Sequence, residues 1–168
     1  VGSVGEEGLG DLRGVKYIFD KSNLKIDSWI SIDGGDIGRI NNAALGSKRY
    51  KITLKGKGGH SWGAFGLGNP HHALGKVIDY FSQEAEKFTN NGPKTSFNVG
   101  RIGGGTSINS IPFESWMEVD MRSVSPKSLV EIETILKEAA AKAVTDYNAT
   151  NIKDKIILEI EKIGDRPS

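Results

Sequence analysis

The chain of 168 residues contains no cysteine. Thiol catalysis, disulfides and thiolate-metal sites are therefore excluded, and any bound metal ion must rely on His, Asp or Glu. Cysteine usage gives no indication of the redox compartment. An excess of either charge is also missing, since 22 basic residues stand against 21 acidic ones. Such a balance gives no electrostatic footprint for nucleic acid or an anionic membrane and favours a small or neutral partner. No apolar run approaches a membrane span, and no signal-peptide pattern opens the sequence, so a cytoplasmic location is expected. Hydrophobic residues make up 37% of the chain, enough for one proper core rather than two. The first residue is Val1, and the sequence stops abruptly after a strand-like run at Gly164-Asp165-Arg166-Pro167-Ser168. It is expected to be a segment of a longer protein.

Near the start, Val4-Gly5-Glu6-Glu7-Gly8-Leu9-Gly10 places two carboxylates side by side. Adjacent acids repel. A solvated surface pair explains them, and so does a dinuclear metal site in which one carboxylate binds a cation while its neighbour stays free as a general base. Leu12, Val15, Lys16 and Phe19 then follow Asp11 at helical spacing, with Tyr17 and Ile18 widening the stripe. Ser28 to Asp33 reads as a strand that ends at Gly34-Gly35 and places Asp33 at its exit, where ligands collect in α/β folds.

From Ser47 the pattern becomes regular. Tyr50, Ile52 and Leu54 alternate with Arg49, Lys51, Thr53 and Lys55, which predicts a strand with one buried face. Asn69-Pro70 supplies an N-cap and a first-turn proline for a helix to about Phe88, with a stripe of Ala73, Leu74, Val77, Ile78, Phe81 and Ala85. Thr95 to Ile102 and Ser115 to Arg122 read as strands around a Gly-rich loop, Ser125-Pro126 caps a second long helix, and Lys155 to Ile163 is a last strand. The order βαββαβ over 47–164 predicts an α+β, ferredoxin-like unit with both helices on one sheet face, leaving the other face or an edge strand for a partner.

Three further features invite a reading. His60 in Gly58-Gly59-His60-Ser61-Trp62 occupies an exposed turn after the first strand of that unit, either as a satisfied structural residue or as a projecting functional one. Gly103-Gly104-Gly105-Thr106 is not a phosphate cradle, because no Lys-Ser or Lys-Thr follows it; it lets backbone approach a peptide beside Asn109 instead. His71 and His72 are helix neighbours about 100° apart and cannot share a metal in the i, i+4 manner. Both are expected to be surface residues of the helix N-terminus.

The ordered motifs at 5–14 (Gly-Glu-Glu-Gly-Leu-Gly-Asp-Leu-Arg-Gly), 32–34 (Ile-Asp-Gly), 58–62, 109–112 (Asn-Ser-Ile-Pro) and 120–122 (Asp-Met-Arg) resemble the co-catalytic zinc peptidases and amidohydrolases. That family includes acetylornithine deacetylase, succinyl-diaminopimelate desuccinylase, peptidase T and glutamate carboxypeptidase. The resemblance implies that residues 1–46 are a fragment of an α/β metal-binding catalytic domain. It implies equally that 47–164 form a dimerisation, or lid, domain and that 165–168 begin the return to the catalytic domain. It further implies Glu6 as general base, Glu7 and Asp33 as ligands of the two zinc ions, and His60 as an oxyanion donor to the other subunit of a homodimer. Asn109 and Arg122 are implied to bind the carboxylate and carbonyl of a short peptide or N-acyl amino acid. Arginine suits this role because its planar fork matches a carboxylate. The family also uses an upstream His-x-Asp pair, a bridging Asp and a late His that this chain lacks, so the two zinc ions belong to the parent enzyme and are not expected on the isolated chain. The alternatives left open are a non-catalytic dimerisation module and a small-ligand-binding ferredoxin-like module.

Overall fold

A computed structural model describes the chain except for Val1, Asp33, Asp36, Ile37, Arg39, Asn41, Ala43, Asn151 and the side chain of Leu9. Contacts divide it into two units, Val1–Ala44 and Leu45–Ser168. In the first, a short 3-10 turn at Gly8–Gly10 precedes α1, Arg13–Asp20. Helix α1 buries none of its residues, and Phe19 meets Trp29 edge to face at 5.3 Å between ring centroids. The strand expected over Ser28 to Asp33 is not formed at 28–32, where the backbone is irregular, and Asp33 lies outside the described residues. Alternation alone does not make a strand. Its hydrogen bonds must close on a neighbouring strand.

The second unit has the expected architecture. Strands β1 (Gly46–Lys55), β3 (Thr95–Gly104), β5 (Glu114–Ser123) and β6 (Ile157–Arg166) form one antiparallel sheet in the order β3-β5-β1-β6. Helices α2 (Pro70–Thr89) and α3 (Pro126–Asn148) pack against each other and against one sheet face. Both begin as the sequence requires, with Asn69 accepting from the His71 amide and Ser125 from the Ser128 amide, each ahead of a proline. The last strand ends at Arg166, three residues beyond the expected Ile163, because 47–49 of β1 still offer it a partner at 164–166.

Tyr50, Ile52 and Leu54 of β1 and Met117, Val119 and Met121 of β5 point into the core, meeting Val77 and Phe81 of α2 and Ile132 and Leu136 of α3. Fully burying side chains of this size is worth about 1.5–3 kcal/mol each. The opposite face is polar and ion-paired. Arg101 pairs with Glu118 and Lys55 with Glu159, while Trp116 lies beneath Lys51 and Arg101 at 5.1 and 5.4 Å. At the edge of the core, Glu133 of α3 accepts from Lys137 at 2.6 Å, from Lys48 of β1 at 2.8 Å, and from Tyr50. Burial alone would raise the Glu133 carboxyl, but these donors outweigh it and bring it down to about 2. Burial and the adjacent carboxylate push the Tyr50 hydroxyl up to about 12.

Two further strands have only two residues each. Strand β2, Gly59–His60, pairs antiparallel with β4, Ser110–Ile111. They continue the β1–β5 ladder outward, since the Gly56 amide donates to the Phe113 carbonyl just beyond the Lys55–Glu114 pair.

Candidate functional site

In the first unit, glycines fold the motif around Glu6 and Glu7 into a tight loop. A Cβ on Gly10 would come within 2.6 Å of Gly5 backbone, so only glycine permits this approach. The Gly14 amide closes the loop on the Val4 carbonyl at 3.0 Å, and the Gly10 amide bonds to the Glu7 carbonyl at 2.9 Å. Both Glu6 and Glu7 are exposed, Glu7 in extended backbone immediately before the 3-10 turn. Among the described residues, no three His, Asp or Glu side chains gather around one point. They do not by themselves compose the coordination sphere of a zinc ion.

In the second unit, the small β2–β4 pair brings together two residues that lie far apart in sequence. His60 stands opposite Ser110, and the Ser61 amide donates to the Asn109 carbonyl at 2.8 Å. The glycines before His60 are required by packing. Gly58 has φ +64, and a Cβ there would lie 2.6 Å from the Phe113 ring. The His60 carbonyl accepts from the Ala64 amide at 2.8 Å, and its Nδ1 accepts from the Trp62 amide at 3.3 Å. Asn109 accepts from Ser107 Oγ through its side-chain oxygen at 2.5 Å. Trp62, Phe65, Ile108 and Phe113 expose apolar surface on the segments that carry this tip.

Arg122 is elsewhere. It pairs with Ser47 at the strand end where the chain enters this unit, whereas the tip lies beyond the Lys55–Glu114 end. Eight positions of β5 separate Glu114 from Arg122, about 26 Å at the ordinary rise of a strand. Grouping Asn109 with Arg122 therefore fails within one chain. Asn109 is a neighbour of His60 instead. Arg122 donates through Nε to Asp120 at 2.7 Å, and Asp120 also accepts from Arg49 at 2.7 Å. Burial would raise the Asp120 carboxyl, but the two arginines hold it below the usual carboxylate range. Asp120 thus fixes the Arg122 guanidinium at one corner. The i, i+2 spacing in Asp-Met-Arg was the available signal for this contact, since it puts both residues on one sheet face.

His71 is more than a surface residue of the helix N-terminus. Its Nδ1 lies 2.7 Å from the hydroxyl of fully buried Ser115, and its Nε2 fills the space a Cβ on Gly105 would need. It fastens the start of α2 to the Gly-rich segment. His72 contacts Asn69 at 3.4 Å. A groove between α2 and α3, lined by Tyr80, Gln83, Glu84, Ile135, Glu138 and Lys142, holds none of the candidate residues.

Comparison with known proteins agrees with this fold. The chain is similar to N-acetylcysteine deacetylase of Bacillus subtilis (strain 168), with 27% identity over 141 residues, 83% of this chain and 36% of the relative. It thus spans about a third of that protein's length. Among solved structures it resembles a hydantoinase/carbamoylase family amidase from Burkholderia multivorans at TM-score 0.59 and 20% identity, covering 73% of this chain and 28% of that one. The aminobenzoyl-glutamate utilization protein from Klebsiella pneumoniae matches at TM-score 0.58 and 17% identity, over 72% and 28% of the two chains. The family model described as the peptidase dimerisation domain matches residues 42–148, which takes in β1, α2, β3, β5, α3 and the His60–Asn109 tip. With a sheet order and helix placement that fit it as well, the chain belongs to the peptidase dimerisation domain family.

Proposed function

We propose that this chain is the dimerisation and substrate-lid segment of a zinc-dependent amidohydrolase that cleaves an amide bond in a short peptide or N-acyl amino acid. The observation that carries the reading is the two-ended layout of the lid, with His60 and Asn109 at one end of the sheet and Arg122 at the other. One copy cannot bring these groups to a single small substrate. A homodimer can. Two identical edge strands joined about a two-fold axis run antiparallel, so the His60 end of one copy lies toward the Arg122 end of its partner.

In that assembly Arg122, steadied by Asp120, would hold the substrate carboxylate through its remaining N–H groups. Asn109 would hold the substrate carbonyl and His60 would donate to the developing oxyanion, both reaching across from the partner. Glu6 would take the proton of the attacking water and return it to the leaving nitrogen. Zinc would supply Lewis acidity in the parent enzyme, with Glu7 and Asp33 among its ligands. A non-catalytic dimerisation module explains the fold equally well but leaves the paired acids and the exposed histidine without a role.

A complementation assay on the parent enzyme tests the proposal. His60→Ala and Glu6→Ala should each be inactive or nearly so, with His60→Ala losing about a hundredfold or more in kcat. Mixing the two lets a heterodimer form in which the intact Glu6 site receives His60 from the other chain. Activity should partly return. Demonstrated subunit exchange without any recovery would reject the action of His60 across the dimer.

A further inference from the structure

The His60 ring is held by main chain. Its Nδ1 lies 3.3 Å from the Trp62 amide nitrogen, and a main-chain N–H can only donate. Nδ1 must therefore present a lone pair, which places the proton of the neutral ring on Nε2. The donor is itself fixed, because residues 60–64 form a closed turn in which the Ala64 amide bonds back to the His60 carbonyl and the Ser61 amide bonds across to Asn109. Among the described residues no hydrogen bond engages Nε2, and the side chain is exposed. An imidazole in this tautomer has one N–H directed outward and no acceptor beside it. That is the state a donor to a developing oxyanion needs, whereas the other tautomer would offer a lone pair and repel the charge.

We infer that the Trp62 main-chain amide is a positioning group that locks His60 in the Nε2–H tautomer, and that the indole of Trp62 is not needed for this. The inference rests on the reading of His60 as an oxyanion donor for its catalytic consequence, but the lock itself can be observed without catalysis.

The test uses the 168-residue chain labelled with 15N-histidine. Nitrogen spectra are recorded at alkaline pH, where the ring is neutral, and His60 is assigned by its loss in His60→Gln. Nδ1 should resonate as an unprotonated, imine-type nitrogen and Nε2 as a protonated, pyrrole-type one. Trp62→Ala keeps the amide and should give the same spectrum, whereas Trp62→Pro removes the N–H and should release the ring to a mixture of both tautomers. A native ring protonated on Nδ1, or already mixed, overturns the proposal. If proline unfolds the tip, the native and Trp62→Ala spectra still decide, because a tautomer lost with the indole alone also overturns it. In the parent enzyme, Trp62→Pro should lower kcat about tenfold with KM retained, the loss of one hydrogen bond's worth of positioning. A locked native tautomer, released by proline with kcat unchanged, would leave the lock standing and remove the oxyanion role from His60.

Discussion

Glu6 and Glu7 share a loop, a charge and an exposed position, yet the proposed chemistry asks different things of them. A base can be deleted without disturbing a metal, whereas a ligand cannot. In the parent enzyme, Glu6→Ala should abolish turnover with zinc content nearly intact, and Glu7→Ala should lose metal and activity together. Atomic absorption on the dialysed variants measures the difference. Equal metal loss from both would mean that the two carboxylates act as a single ligand pair. Their pairing was legible in the sequence because adjacent acids are unfavourable without a cause. The pairing of the segments that carry His60 and Asn109 was not, since nothing local in either motif announces a ladder closed by residues so distant in the chain.

Among the elements, those with caps and a clear period could be read in advance, and those defined only by a partner could not. Helices α2 and α3 carry a capping side chain, a first-turn proline and an apolar stripe, all local features. Strands β2 and β4 have two residues each, too short for any alternation to show. The segment 28–32 alternates well and forms no strand, because alternation describes which side chains want burial and not which backbone will pair with them. The link between α3 and β1 through Glu133 carries a pH dependence. Its carboxyl titrates near 2 in the folded chain against an ordinary 4.5, so the unfolded state binds more protons between these values. The stabilisation is fully present above about pH 4.5 and is lost as pH falls toward 2. Urea unfolding at a series of acidic pH values should show this decline, and Glu133→Gln should flatten it at a cost of about 1–3 kcal/mol near neutrality. An unchanged profile in that variant would show that other carboxylates dominate the acid limb.

For the whole molecule, the sheet order β3-β5-β1-β6 leaves two edges, and family membership implies self-association. Light scattering on the chain should give the mass of a two-fold dimer at micromolar concentration. A strict monomer at high micromolar concentration would remove the support for a site shared between copies.

The exposed tip also makes the molecule its own optical probe. Of the three tryptophans, Trp116 lies under two cations on the sheet and Trp29 is in the other unit, whereas Trp62 is 88% exposed two residues from His60. An indole so placed emits as if in water and is open to a collisional quencher. If the tip of one copy reaches into its partner as proposed, its emission should move to the blue and its quenching by iodide should fall. Trp62→Phe should abolish both changes. Occupancy of the proposed shared site could then be followed by light, in real time and without turnover.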